Sequence, residues 1–168
     1  SSTARYDDYL ASDNRAVLHA KIDGEFVPRF ERDADPQAPA GGVASSVADL
    51  AEWMNVLLHE GETVDGEMVA DADALRQAMA PHVVSGAGPE LTVRPSHYGF
   101  GFNASPMLSG RMAYSHSGAF VLGAGTAFQV VPELDLGIVV LTNGAPVGAA
   151  ESVVAQFFDI VQFGEPTR

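Results

Sequence analysis

Thr126-Ala127-Phe128-Gln129-Val130-Val131-Pro132-Glu133-Leu134-Asp135-Leu136-Gly137-Ile138-Val139-Val140-Leu141-Thr142 is the stretch from which the architecture can be built. Two apolar, β-branched runs, Thr126–Val131 and Leu136–Thr142, flank Pro132-Glu133-Leu134-Asp135, a composition suited to a tight turn. So short a link leaves no room for a crossover, so the two strands are antiparallel neighbours. Toward the N-terminus, Met112–Ser117 reads as another strand. Tyr98-Gly99-Phe100-Gly101-Phe102 reads as one more, its glycines admitting the close approach of another backbone. Beyond the strands, a helix is predicted from about Gly148 to Phe163. Its stripe of Val153, Val154, Phe157, Phe158 and Val161 must lie on something flat and apolar, and the sheet is the candidate.

The first half of the chain has a different texture. Ala16–Ile22, Asp23-Gly24 and Glu25–Val27 predict a hairpin with a two-residue turn. Asp33 to Gly42, with Pro36, Pro39, Gly41 and Gly42, predicts a loop. Ser46 caps a helix in which Val47, Leu50, Ala51, Met54, Leu57 and Leu58 share a face, and Gly61 stands at its C′ position. A shorter helix is predicted near Asp71–Ala80, stopped by Pro81, and Val84 to Pro95 reads as a loop. The fold class is therefore α+β: an antiparallel meander covered by a C-terminal helix, with helices from the N-terminal half. Residues 1–168 form one unit, with residues 1–38 irregular apart from the hairpin, 39–95 helical, and 96–168 holding the sheet and last helix.

At 168 residues the chain is long enough to bury about 70% of its unfolded surface, and 46% of its residues are hydrophobic. The formal net charge of −13 makes phosphate backbones and anionic membranes poor partners, so no nucleic acid is expected. No apolar run approaches the roughly 18 residues that span a bilayer. The polar start, Ser1-Ser2-Thr3-Ala4-Arg5, has neither an initiator Met nor a signal pattern, which suggests a chain cut from something longer. The absence of Cys excludes disulfides and thiolate chemistry and leaves the compartment open.

The single lysine, Lys21, excludes a phosphate-binding G-x-x-x-x-G-K-[ST] loop. His59-Glu60 does not continue as a zinc-binding helix, and His19, His59, His82 and His97 are scattered, so no metal or other cofactor is expected. G-x-S-x-G is missing too. What stands out is His116-Ser117-Gly118-Ala119 at the end of a strand. Gly118 has no side chain to keep a ligand backbone away, and the Ala119 N–H can serve a developing oxyanion. The plainer reading is a polar strand end before a bend. A nucleophilic Ser117 or Ser115 activated by His116 is poorly served by strand geometry, which turns adjacent side chains to opposite faces.

Four segments together carry a family resemblance. Pro39–Met54, Tyr98–Phe102, His116–Gly118 and Val130–Asn143 resemble, in order, parts of the serine β-lactamase and penicillin-binding-protein superfamily. The similarity is to its class C-like branch of carboxypeptidases, D-aminopeptidases and esterases. His-Ser-Gly stands where many members carry Lys-Thr-Gly. The resemblance implies a hydrolase that acylates a serine, acting on an amide or ester of a small molecule or peptide. It also implies that His116, Ser117 and Gly118 bind substrate while Ala119 completes the oxyanion hole. The chain departs from the family by lacking Ser-x-x-Lys, since Leu18 stands three residues before Lys21, and by lacking Tyr-x-Asn. No nucleophile or base is therefore expected within it. It matches a C-terminal portion, either of an active enzyme or of a non-catalytic binding module. In such folds the first strands pair with the last strand of the meander. Leu136–Asn143 is accordingly expected to meet either the missing N-terminal segment or a second copy.

Overall fold

The computed structural model describes residues 2–29, 31–88, 90–120, 123–144 and 146–164. In chain order, helix α1 (Tyr6–Ala11) precedes the hairpin β1 (His19–Ile22) and β2 (Glu25–Pro28). A 3₁₀ turn at Asp35–Gln37 leads into the one-turn helix α2 (Ala38–Gly41), then α3 (Val47–Leu58) and α4 (Ala72–Met79). Strands β3 (Val83–Gly86), β4 (Ser96–Tyr98), β5 (Asn103–Pro106), β6 (Met112–Phe120), β7 (Ala124–Val131) and β8 (Leu136–Thr142) follow, and α5 (Ala149–Phe163) comes last. Strands β3 to β8 lie side by side in sequence order in one sheet, antiparallel throughout. This is the α+β meander with its C-terminal helix that the sequence predicts. Among the described residues, no helix is long and apolar enough to cross a membrane.

The period of two along β7 builds both cores. Ala127 and Val131 face α5 and join Ala113, Ala150, Val154 and Phe158 in one buried cluster. Val130 and the flanking Phe128 face the other way, into a cluster with Met54 and Leu57 of α3, Met79 of α4 and Phe102. Helices thus cover both faces of the sheet, and each fully buried aliphatic or aromatic side chain contributes about 1.5–3 kcal/mol. The stripe of α5 is rotated from the one expected: Ala150, Val154 and Phe158 are buried, while Val153 and Val161 are exposed. Val47, the first residue of α3, is exposed too.

Local signals act as their chemistry dictates. Asp23 (φ 52°) and Gly24 (φ 92°) both take positive φ between β1 and β2, the turn whose twist matches antiparallel strands. The hydroxyl of Ser46 accepts from the Asp49 N–H at 3.1 Å, and the Asp71 carboxylate accepts from the Ala74 N–H at 2.8 Å. Each such cap is worth about 1 kcal/mol. At the end of α3 it is Glu60 that holds the left-handed C′ position. Gly61 stands one residue further on and donates to Val56 O at 2.8 Å.

Other expectations are corrected. The Asp33–Gly42 loop contains two short helical turns, because Pro36 and Pro39 sit in first-turn positions where a missing N–H costs nothing. The Val84–Pro95 loop begins as edge strand β3, so residues 39–95 are not wholly helical (Pro89 lies outside the described residues). Of Tyr98–Phe102 only Tyr98, the last residue of β4, is in a strand: Gly99 to Phe102 turn the chain from β4 into β5, with Gly99 N–H donating to Phe102 O at 2.8 Å.

Candidate functional site

Strand β6 outruns its neighbour. Its ladder with β7 continues to Phe120↔Ala124, whereas that with β5 stops at Asn103↔Ser115. The parity of the ladder follows from Pro106, which has no N–H and faces Met112 as a non-hydrogen-bonded pair. The next pair closes with Met107 N–H donating to Arg111 O at 2.8 Å. Alternation from there turns the N–H and C=O of Ser117 and Ala119 away from β7. Among the described residues no strand meets them. The site is an open strand edge two residues long on its hydrogen-bonding side.

Side chains along this edge divide between the two faces. His116 lies opposite Phe128 and Gly118 opposite Thr126, on the α3 side of the sheet. Ser115 and Ser117 lie opposite Gln129 and Ala127, on the α5 side. His116 is half-buried, while Ser117, Gly118 and Ala119 are exposed. His116 and Ser117 are therefore not placed to exchange a proton with each other. Instead His116 Nε2 lies 3.0 Å from the hydroxyl of Tyr98, at the end of β4. The hydroxyl donates if the ring proton is on Nδ1 and accepts if it is on Nε2. Either way the pair fixes the imidazole.

The surroundings complete the edge. The guanidinium of Arg32 stacks over the ring of Phe120, 3.5 Å from its centroid, at the far end of β6. Tyr114, one step along the His116 face, has its hydroxyl pKa pushed up, first by burial and then by the charge of Glu133. On the α5 side, Asn103, Ser115, Ser117 and Gln129 share a cleft of about 240 Å³ with Glu151. Among the described residues, no group of three or more His, Asp or Glu side chains can hold a metal ion. Sequence reasoning brought His116–Ala119 forward but missed Tyr98 and Glu151. Tyr98 carries a signal in its glycine-flanked aromatic run; Glu151 carries none.

A family model described as beta-lactamase matches residues 2–157. The octameric penicillin-binding protein homologue from Pyrococcus abyssi superposes with a TM-score of 0.72 at 21% identity, over 98% of this chain and 34% of that one. A D-stereospecific amidohydrolase from Streptomyces sp. gives a TM-score of 0.63 at 17% identity, over 91% of this chain and 41% of that one. At such identities the likeness is one of fold. The chain therefore spans roughly a third to two-fifths of these structures' lengths. No curated protein sequence matches it.

Proposed function

The chain belongs to the beta-lactamase family, and from that premise we propose that it is the substrate-side segment of a serine hydrolase. The reaction is cleavage of an amide or ester through an acyl-enzyme, with a D-amino-acid peptide, a β-lactam or a simple ester as acyl donor. His116, Ser117 and Gly118 flank the bound substrate, and the Ala119 N–H donates to the oxyanion as the carbonyl is attacked. The observation that carries the reading is the free edge of β6, where Ser117 and Ala119 offer backbone groups beside a residue with no side chain. The nucleophile comes from a Ser-x-x-Lys element outside these 168 residues. A second reading is a non-catalytic binding module, which keeps the same fold and open edge without a Ser-x-x-Lys element anywhere in the protein. Intact mass spectrometry after a fluorophosphonate or β-lactam probe separates the two. We expect no adduct on this chain and one adduct on a companion segment bearing Ser-x-x-Lys. An adduct on this chain would overturn the assignment of the nucleophile; none on either would favour the binding module.

Strand β8 has a related role. Among the described residues β7 is its only strand partner, and only its far end is covered, where Asn143 O accepts from His19 N–H at 2.7 Å. The parity set at Pro106 turns Gly137, Val139 and Leu141 N–H outward. We propose that a strand from the rest of the hydrolase, or from a second copy, pairs along this edge. In sedimentation velocity, the isolated chain is expected to self-associate as its concentration rises. Leu141→Pro, which removes one outward N–H and leaves the β7 ladder in place, is expected to weaken that association. A monomer at every concentration would rule out pairing between copies.

A further inference from the structure

Apart from Ser117, the side chains of the cleft on the α5 side of β6 have no part in the hydrolase reading. Asn103, Ser115, Ser117 and Gln129 bring neutral hydrogen-bonding groups from three adjacent strands, while Val154 and Ala155 of α5 supply apolar wall. Glu151 is the only carboxylate among the lining residues, and neither Lys nor Arg lines the cleft. Among the described residues, Glu151 makes no ion pair or side-chain hydrogen bond, although it is only half-exposed. His116 borders the cleft only along the strand backbone, since its ring lies on the α3 side of the sheet with Nε2 at Tyr98. The volume of about 240 Å³ lies below the range of whole-ligand pockets and suits one terminal group of a substrate.

We infer that this cleft is a subsite for a protonated amine, with the Glu151 carboxylate as counter-ion and the Ser115, Ser117 and Gln129 side chains as its other acceptors. An ammonium group has three donors and no acceptor, so it needs a site able to supply oxygen acceptors. The cleft supplies hydroxyl, amide and carboxylate oxygens together. An anion would instead meet an uncompensated carboxylate. The net charge of −13 raises the local concentration of cations over the whole surface, which favours the same ligand. Ser117 joins the two sites: its backbone lies on the open edge and its side chain in the cleft. A substrate along β6 can thus place an amine-bearing end beside Glu151. As a substrate subsite the inference rests on the hydrolase reading; as an amine-binding site it does not.

The test is a titration of this chain followed by amide chemical shifts, with alaninamide in both enantiomers and N-acetylalaninamide as ligands. We expect saturable shifts at Ser117, Gln129 and Glu151 with alaninamide. Binding should weaken by roughly tenfold on N-acetylation, and again in Glu151→Gln, the loss of one charge-assisted contact. Equal binding of the acetylated ligand, shifts confined to other residues, or no shifts at all would overturn the inference. Binding needs no nucleophile. A failed acylation experiment therefore leaves this result standing, and a failed titration leaves the hydrolase reading untouched.

Discussion

Gly99→Ala is expected to destabilise the fold by about 3 kcal/mol, a fall in melting temperature on the order of 10 °C. Gly99 follows Tyr98 at the turn from β4 to β5, where the chain crosses the end of α4. A Cβ there would overlap the Ala78 carbonyl oxygen and stand 2.7 Å from that of Ala80. Both are backbone atoms, and Ala78 O is already held by the Phe100 N–H at 2.7 Å. Neither can retreat without loosening α4 from the sheet. Gly101, two residues on, makes a discriminating control. Its φ is 90° and an added Cβ would meet nothing within 4 Å, so Gly101→Ala carries only the left-handed backbone penalty of about 1–2 kcal/mol. Thermal unfolding of the two variants side by side checks the argument. If Gly99→Ala is as mild as Gly101→Ala, the close approach does not hold the turn. The functional consequence is local: freeing this turn releases Tyr98, and the imidazole of His116 loses its partner.

The same turn shows where sequence reading reaches its limit. Alternating aromatic and glycine residues have a period of two whether they form a strand or a turn, so Tyr98–Phe102 reads as a strand. The glycines do report a close backbone approach, and Gly99 makes one. What the pattern lacks is the partner, the end of α4, about twenty residues earlier. The elements read correctly are those in which local chemistry and tertiary packing agree. They are the β7–β8 pair around its proline turn, the Asp23-Gly24 hairpin and the Ser46-capped helix. The stripe of α5 was displaced because Val153 and Val161 are apolar yet face outward, and hydrophobicity alone does not show which side of a helix meets the sheet. Strand β3 escaped because Val83 and Val84 are exposed on an edge, with none of the alternation that burial imposes. His116–Ala119 was legible as a motif. Its open edge was not, because that depends on β5 starting only at Asn103.

If the proposed hydrolase reading holds, Ala119→Pro is expected to reduce acylation by about two to three orders of magnitude in the protein that pairs this chain with a Ser-x-x-Lys segment, the loss typical of one oxyanion donor. The substitution removes a single N–H and adds a ring at a position that keeps the fold. Ala119 turns its N–H away from β7, so no ladder bond is lost, and the outward side of an edge is where strands tolerate proline. Gly118 before it already lies in extended strand, the conformation that proline requires of its predecessor. Stability should consequently change little while the chemical step slows, and unfolding midpoints measured beside acylation rates separate the two. His116→Ala acts differently. It leaves the Ala119 N–H in place and removes a side chain proposed to flank the substrate, so its effect is expected on substrate binding as well as on rate. Unchanged acylation in Ala119→Pro, with the fold intact, would mean that the oxyanion donor lies elsewhere. The open edge of β6 would then serve to align the substrate backbone, with no part in stabilising its transition state.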